Sequence, residues 1–210
     1  MKHALFMSAA AVAALSLAAC NKPAGSAADN ASATASNATS SAGSTVNKAE
    51  DATGAAVGAT SAATMGSHDT AAFVSNASQS DMYEVQAAQI AEKRSKNPQI
   101  VAFAKMMVKD HTKSTDMMKP LVQAAGQTPA AKLDDRRQGF IDHLNSASDS
   151  DFDKTYVDQQ VAAHKEALEL MQGYAKDGSD AGLKDGASKI VPTVQMHLDK
   201  VQALQASLKS

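Results

Sequence analysis

From about residue 70 to residue 208, apolar side chains recur at spacings of three and four, and almost nothing alternates as a half-buried strand would. The pattern predicts a first helix from about Thr70 to Arg94, with Phe73, Ala77, Ser80, Glu84, Ala88 and Ala91 on one stripe. Asn97 followed by Pro98 is an N-cap with proline at the first helical position. The second helix runs on to about Ala125, its stripe including Val101, Ala104, Met107, His111, Met118 and Val122. Pro120 is expected to kink it, and Gly126 and Pro129 to stop it. A shorter amphipathic helix is expected from Leu133 to Ser146. Ser150 is the expected N-cap of a long helix from about Asp151 to Lys176, striped by Val157, Val161, His164, Leu168 and Met171. The last helix spans about Asp180 to Leu208, with Leu183, Ile190, Val194, His197, Val201 and Leu204 in register and a bend expected at Pro192.

Two long helices, a connection holding a short helix, and two more long helices predict an all-α domain over residues 68–210. The expected architecture is a four-helix bundle with a crossover, and the long connection fits a ferritin-like path better than simple up-and-down turns. Helices of 25 residues are about 38 Å long at 1.5 Å per residue.

The stretch before this domain has a different character. Residues 1–19 combine a basic start, Lys2 and His3, with an apolar run from Ala4 to Ala19. The run is shorter than the roughly 20 residues of a membrane-spanning helix and has the layout of a secretory signal. It ends Leu17-Ala18-Ala19-Cys20, and Cys20 is the only cysteine. These four residues resemble the lipobox of bacterial lipoproteins, in which the cysteine is lipidated and becomes the mature N-terminus. An ordinary signal peptide that happens to hold a cysteine is the alternative. A lone cysteine excludes an intramolecular disulfide, and lipidation accounts for a thiol in an oxidising compartment. Asn21, where an inner-membrane retention signal usually has Asp, implies by the same resemblance an outer-membrane anchor facing the periplasm. A soluble periplasmic protein is the alternative, and acyl chains are the only membrane contact expected. Residues 20–67 are dominated by Ala, Ser, Thr, Gly and Asn, too poor in large side chains to offset the ordering of the backbone. They read as a disordered tether with a root-mean-square span of roughly 35–40 Å.

Composition narrows the function. The formal net charge is −2, with no basic patch interleaved with aromatics, so nucleic-acid binding is not expected. The chain has no tryptophan, thin equipment for a carbohydrate pocket. There is no Gly-rich phosphate loop, no Ser-x-x-Lys and no recognisable catalytic motif.

The chemistry that remains is on the helix stripes. Glu84, His111, His164 and His197 each fall on the apolar face of a different long helix, near mid-length. Antiparallel helices of equal length bring their middles together, so one carboxylate and three imidazoles are expected to share one layer of the core. Buried groups of this kind must satisfy one another, water or an ion. The first reading is therefore one divalent transition metal, Zn, Mn or Fe, on these four residues. Copper, suggested by the many methionines beside histidines, takes second place, because methionine at helical spacing is ordinarily core filler. The alternative is a metal-free Glu/His polar layer that holds the bundle register in a non-catalytic periplasmic interaction or stress-related lipoprotein. A third reading is a pH sensor in which the histidines protonate together. Val108, Val161 and Val194 stand three residues before the histidines, where di-iron carboxylate proteins have Glu, so a second metal lacks its ligands. Asp110 points about 100° from His111 and reads as a solvated charge; His68 and His143 lie off the long helices and read as exposed.

The stretches FVSNASQSDMYEVQAAQIAEKRSKNPQIVAFAKMMVKDHTKS, DFDKTYVDQQVAAHKEALELM and LKDGASKIVPTVQMHLDKVQAL resemble the bacterial domain of unknown function 4142 over roughly 70–208. Glu84, the Asp110-His111 pair, His164 and Pro192 with His197 fit that pattern. The resemblance implies a ferritin-like helical fold on an exported or lipid-anchored protein. It implies no reaction.

Overall fold

The structure is a computed structural model and describes residues 68–209. The expected signal segment 1–19, Cys20 and the tether 20–67 lie outside the described residues. Five helices follow one another: α1 Thr70–Arg94, α2 Pro98–Ala124, α3 Asp135–Ser146, α4 Phe152–Asp177 and α5 Ala181–Ser207. No strand occurs among the described residues.

Local chemistry sets most of the helix ends. The Asp69, Asn97, Asp134 and Asp180 side chains accept from the backbone N–H groups of Ala72, Gln99, Arg137 and Leu183 at 2.7–2.9 Å. Each satisfies a donor that the first helical turn leaves orphaned. Gly126, at φ 66°, closes α2: its N–H donates to Gln123 and the next N–H, of Gln127, to Val122. This is the paired C-terminal motif that favours glycine in the left-handed region. Ser150 does not cap α4. Asp151 occupies the cap position without a side-chain cap bond, and the Ser148 hydroxyl instead reaches the Asp151 carboxylate at 2.7 Å and accepts from its N–H at 3.2 Å. The Ser150 hydroxyl is taken up by Ser148 at 2.9 Å.

Each long helix packs against two of the others, closing the ring α1–α2–α5–α4. Three-residue links make α1/α2 and α4/α5 neighbouring pairs. Phe73, at the start of α1, stacks on Tyr174, near the end of α4, with centroids 3.8 Å apart. At the other end Arg94 lies 4.5 Å above the Phe152 ring, so α1 and α4 are antiparallel. Leu121 and Met118, late in α2, face Gly186, early in α5, so these two are antiparallel as well. It follows that α2 and α4 run the same way across the ring, and that residues 125–151 must carry the chain back along about 40 Å of helix. The short α3 sits on this return, packed on α1 and α4. Arg94 holds its C-terminal end by donating to the carbonyls of Leu144 at 2.6 Å and Ala147 at 2.7 Å, where a cation also complements the helix dipole. Buried Arg137 pairs with Asp134 and with Glu166 of α4 at 3.0 Å.

The apolar core is in two parts. One contains Tyr83, Ile100, Phe103, Met107, Tyr156, Val161, Leu198 and Val201. The other contains Phe73, Val122, Leu170, Tyr174, Leu183, Ile190 and Val194. Along α2, α4 and α5 the boundary between them falls at His111, His164 and His197.

Candidate metal centre

Helical spacing places each histidine one turn from a fully buried residue of its own helix. Met107 precedes His111, Gln160 precedes His164 and Val201 follows His197, all by four positions, and all three are buried. The rings therefore point where the core side chains point. His111 and His197 stack with centroids 5.6 Å apart, and His164 stands edge-on to them at 6.3 and 5.5 Å. One ring nitrogen from each lies within 4.8 Å of the other two. Phe103 closes one side, its centroid 6.3 Å from that of His164.

Each imidazole uses one nitrogen outward and leaves one inward. His111 Nδ1 is 2.8 Å from an Asp81 carboxylate oxygen, and the other Asp81 oxygen accepts from the Thr115 hydroxyl. His197 Nε2 is 3.1 Å from the Asp110 carboxylate. His164 Nδ1 is 2.8 Å from the Gln160 carbonyl. Because these partners only accept, each ring donates through the nitrogen named, and in a neutral ring the lone pair falls on the other nitrogen. Those others, His111 Nε2, His164 Nε2 and His197 Nδ1, are buried and have no hydrogen-bond partner within the protein. Three buried, unpartnered lone pairs on rings this close together are a donor set for a transition metal. Metal–N bonds of about 2.0–2.1 Å in tetrahedral geometry need nitrogens about 3.3 Å apart, so small ring movements would close the set.

Glu84 is fully buried beside this group but is not one of the three. One of its oxygens is 3.7 Å from His164 Nδ1, the nitrogen that donates to the Gln160 carbonyl. Neither of its oxygens makes a hydrogen bond of full geometry within the protein, and the Gln160 side-chain amide is near enough to favour the carboxylate without completing one; the Tyr156 hydroxyl is also unpartnered. Burial pushes the Glu84 carboxyl up to about 7, against the opposing pull of His111 and Gln160. Burial also pushes His164 down to about 3, helped by the charge on His111, and lowers His197 in spite of Asp110. His111 differs: burial pulls it down, but the Asp81 hydrogen bond and the charges of Glu84, Asp81 and Asp110 outweigh that and leave it raised. A metal binds the neutral form of each ring, so occupancy of the layer would rise with pH.

The four residues singled out from the sequence thus share one layer, three converging and Glu84 alongside. Asp110 is partly exposed but is not only a solvated charge; its carboxylate also accepts from His197 of α5. Asp81 was missed, although it lies three residues before Glu84, on the same side of α1. His68 is exposed as expected, with Nδ1 3.1 Å from the Asp177 carbonyl. His143 is half-buried rather than exposed, because α3 lies on α4 and brings it to 3.5 Å from the Gln159 amide.

Fold and site together define an all-helical protein with a buried three-imidazole centre. The chain belongs to the family described as Domain of unknown function (DUF4142), whose model matches residues 55–204. No curated protein and no solved structure matches it.

Proposed function

We propose that this is an exported, lipid-anchored envelope protein whose ferritin-like bundle binds a single divalent transition metal in its core. His111 Nε2, His164 Nε2 and His197 Nδ1 are the primary donors, and Glu84 is the nearest further anionic one. The carrying observation is the three buried, unpartnered nitrogens on three rings whose ligand atoms come within 4.8 Å of one another. Leaving one buried polar atom unsatisfied costs about 1–3 kcal/mol, and a metal-free layer would leave three. The ferritin-like path is supported by the return of residues 125–151 along the helix ring. Export and the anchor rest on the 1–20 segment, with Cys20 the lipidated residue.

The test is elemental analysis of the purified full-length chain beside a His111→Ala/His164→Ala variant, before and after offering Zn, Mn, Fe and Cu. About one ion per chain in the parent and none in the variant is expected. Thermal stability of the parent should rise with metal concentration by linkage. No metal in either protein, with no change in melting temperature, would leave the metal-free layer as the reading. For the anchor, acyl labelling in cells should be lost on Cys20→Ser; labelling that persists would remove the lipoprotein assignment.

A further inference from the structure

Asp81 and Asp110 are the two acids hydrogen-bonded to the imidazole cluster among the described residues, and they are so crosswise. Asp110 adjoins His111 in sequence yet serves His197 of α5, 87 positions away. His111 is served by Asp81 of α1, 30 positions away. Each carboxylate therefore spans two helices, and the two contacts link α1 to α2 and α2 to α5. Asp81 is itself held, through its second oxygen, by the Thr115 hydroxyl. Both are the solvent-facing members of the layer, with side chains 27% and 24% exposed against 13% for His111 and 1% for His197.

We propose that Asp81 and Asp110 are positioning residues of the metal site, an inference that rests on the metal reading above. Each accepts the outer N–H of a ligand imidazole, fixes which nitrogen carries the lone pair, and increases the donor strength of that nitrogen. The arrangement assigns an uneven ligand set: Nε2 from His111, Nε2 from His164 and Nδ1 from His197. A ring held only for packing needs an acceptor, and the Gln160 carbonyl shows that a neutral one suffices for His164. Carboxylates at the other two rings add what a carbonyl cannot: two negative charges against the two positive charges of a divalent ion. Neutral imidazoles supply none, and an uncompensated ion in a buried layer is costly.

The test uses the full-length chain with Asp81→Asn, Asp110→Asn and Asp110→Ala, and Asp116→Asn as an exposed control. Zn2+ affinity is measured by competition with a chelating dye, and the visible ligand-field bands of bound Co2+ report coordination geometry. Helicity of the metal-free protein by circular dichroism separates loss of fold from loss of site. Both Asn variants should stay helical and bind about 10–100-fold more weakly, with shifted Co2+ bands. Asp110→Ala should be weaker again, because Asn retains an acceptor oxygen. If Asp81→Asn does not fold, Asp110→Asn decides alone. A parent that binds one ion while the folded Asn variants bind within about twofold, with unchanged bands, would overturn the positioning role and leave the metal site standing. A parent that binds no ion would overturn both.

Discussion

Replacing Glu84 by Gln should make the metal-free protein more stable at pH 8 and leave it unchanged at pH 4. The Glu84 carboxyl is buried and is raised from 4.5 to about 7. It is faced by His111 from α2, by His164, Gln160 and Tyr156 from α4, by Arg137 from α3 and by Asp81 of its own helix. Between these pH values the folded chain holds a proton that the unfolded chain has released, so stability falls as pH rises through the window and is level above it. At 1.36 kcal/mol per pH unit, the interval corresponds to about 3 kcal/mol, roughly 10 °C in Tm for a domain of this size. Gln keeps the shape and cannot ionise, so it removes this loss. The assay is urea unfolding of both proteins in EDTA at intervals from pH 4 to 8. Subtracting one from the other cancels the His164 and His197 contributions, while His111, raised in part by the Glu84 charge, belongs to the difference. A difference that stays flat would refute the assignment of a buried, protonated Glu84. With Zn2+ bound, the parent's loss should shrink, because the ion stabilises the carboxylate.

The acid side has the opposite sign. His164 is lowered to about 3, so the unfolded chain takes up a proton first and stability falls as pH drops below 6.5, by up to about 1.4 kcal/mol per pH unit. In EDTA, His164→Leu should flatten that limb in urea midpoints from pH 7 to 4.5, and an acid limb as steep as the parent's would count against a neutral His164. Gly178→Ala places a Cβ 2.6 Å from the Tyr174 carbonyl oxygen and from its ring. Relieving that clash should cost about 1–3 kcal/mol, seen as a lower Tm; an unchanged Tm would show that this helix end shifts freely. Glu166→Ala removes one of the two carboxylates on buried Arg137 and the carboxylate that Arg136 donates to, and should cost about 1–3 kcal/mol. Adding Arg137→Met should recover much of it, and a double variant no better than the single would put the loss elsewhere.

The helix ends and the shared layer were legible in the sequence because both follow from one-dimensional periods. Asn97 sits where an orphaned donor needs it, whereas Ser150 gives way to Asp151 at the cap of α4, and three histidines sit on stripes of the same period at the same height. What the period does not contain is how many neighbours a helix has. An offset of about 100° from His111 makes Asp110 read as solvated only if a helix has one inward direction. In a closed ring each helix has two inward directions, one for each neighbour. A 100° offset is what lets adjacent residues of α2 serve both: His111 meets Asp81 of α1, and Asp110 meets His197 of α5. Asp81 was hidden for the same reason, since its partner is chosen by the packing of α1 on α2 and not by spacing within α1. Glu84 marks the other limit. Its stripe and height were right, but the rotation of α1 carries it to the outer nitrogen of His164, a difference of one ring width that only tertiary packing sets. The layer is therefore stitched between helices, so loss of one carboxylate should loosen a neighbouring helix's ligand before its own.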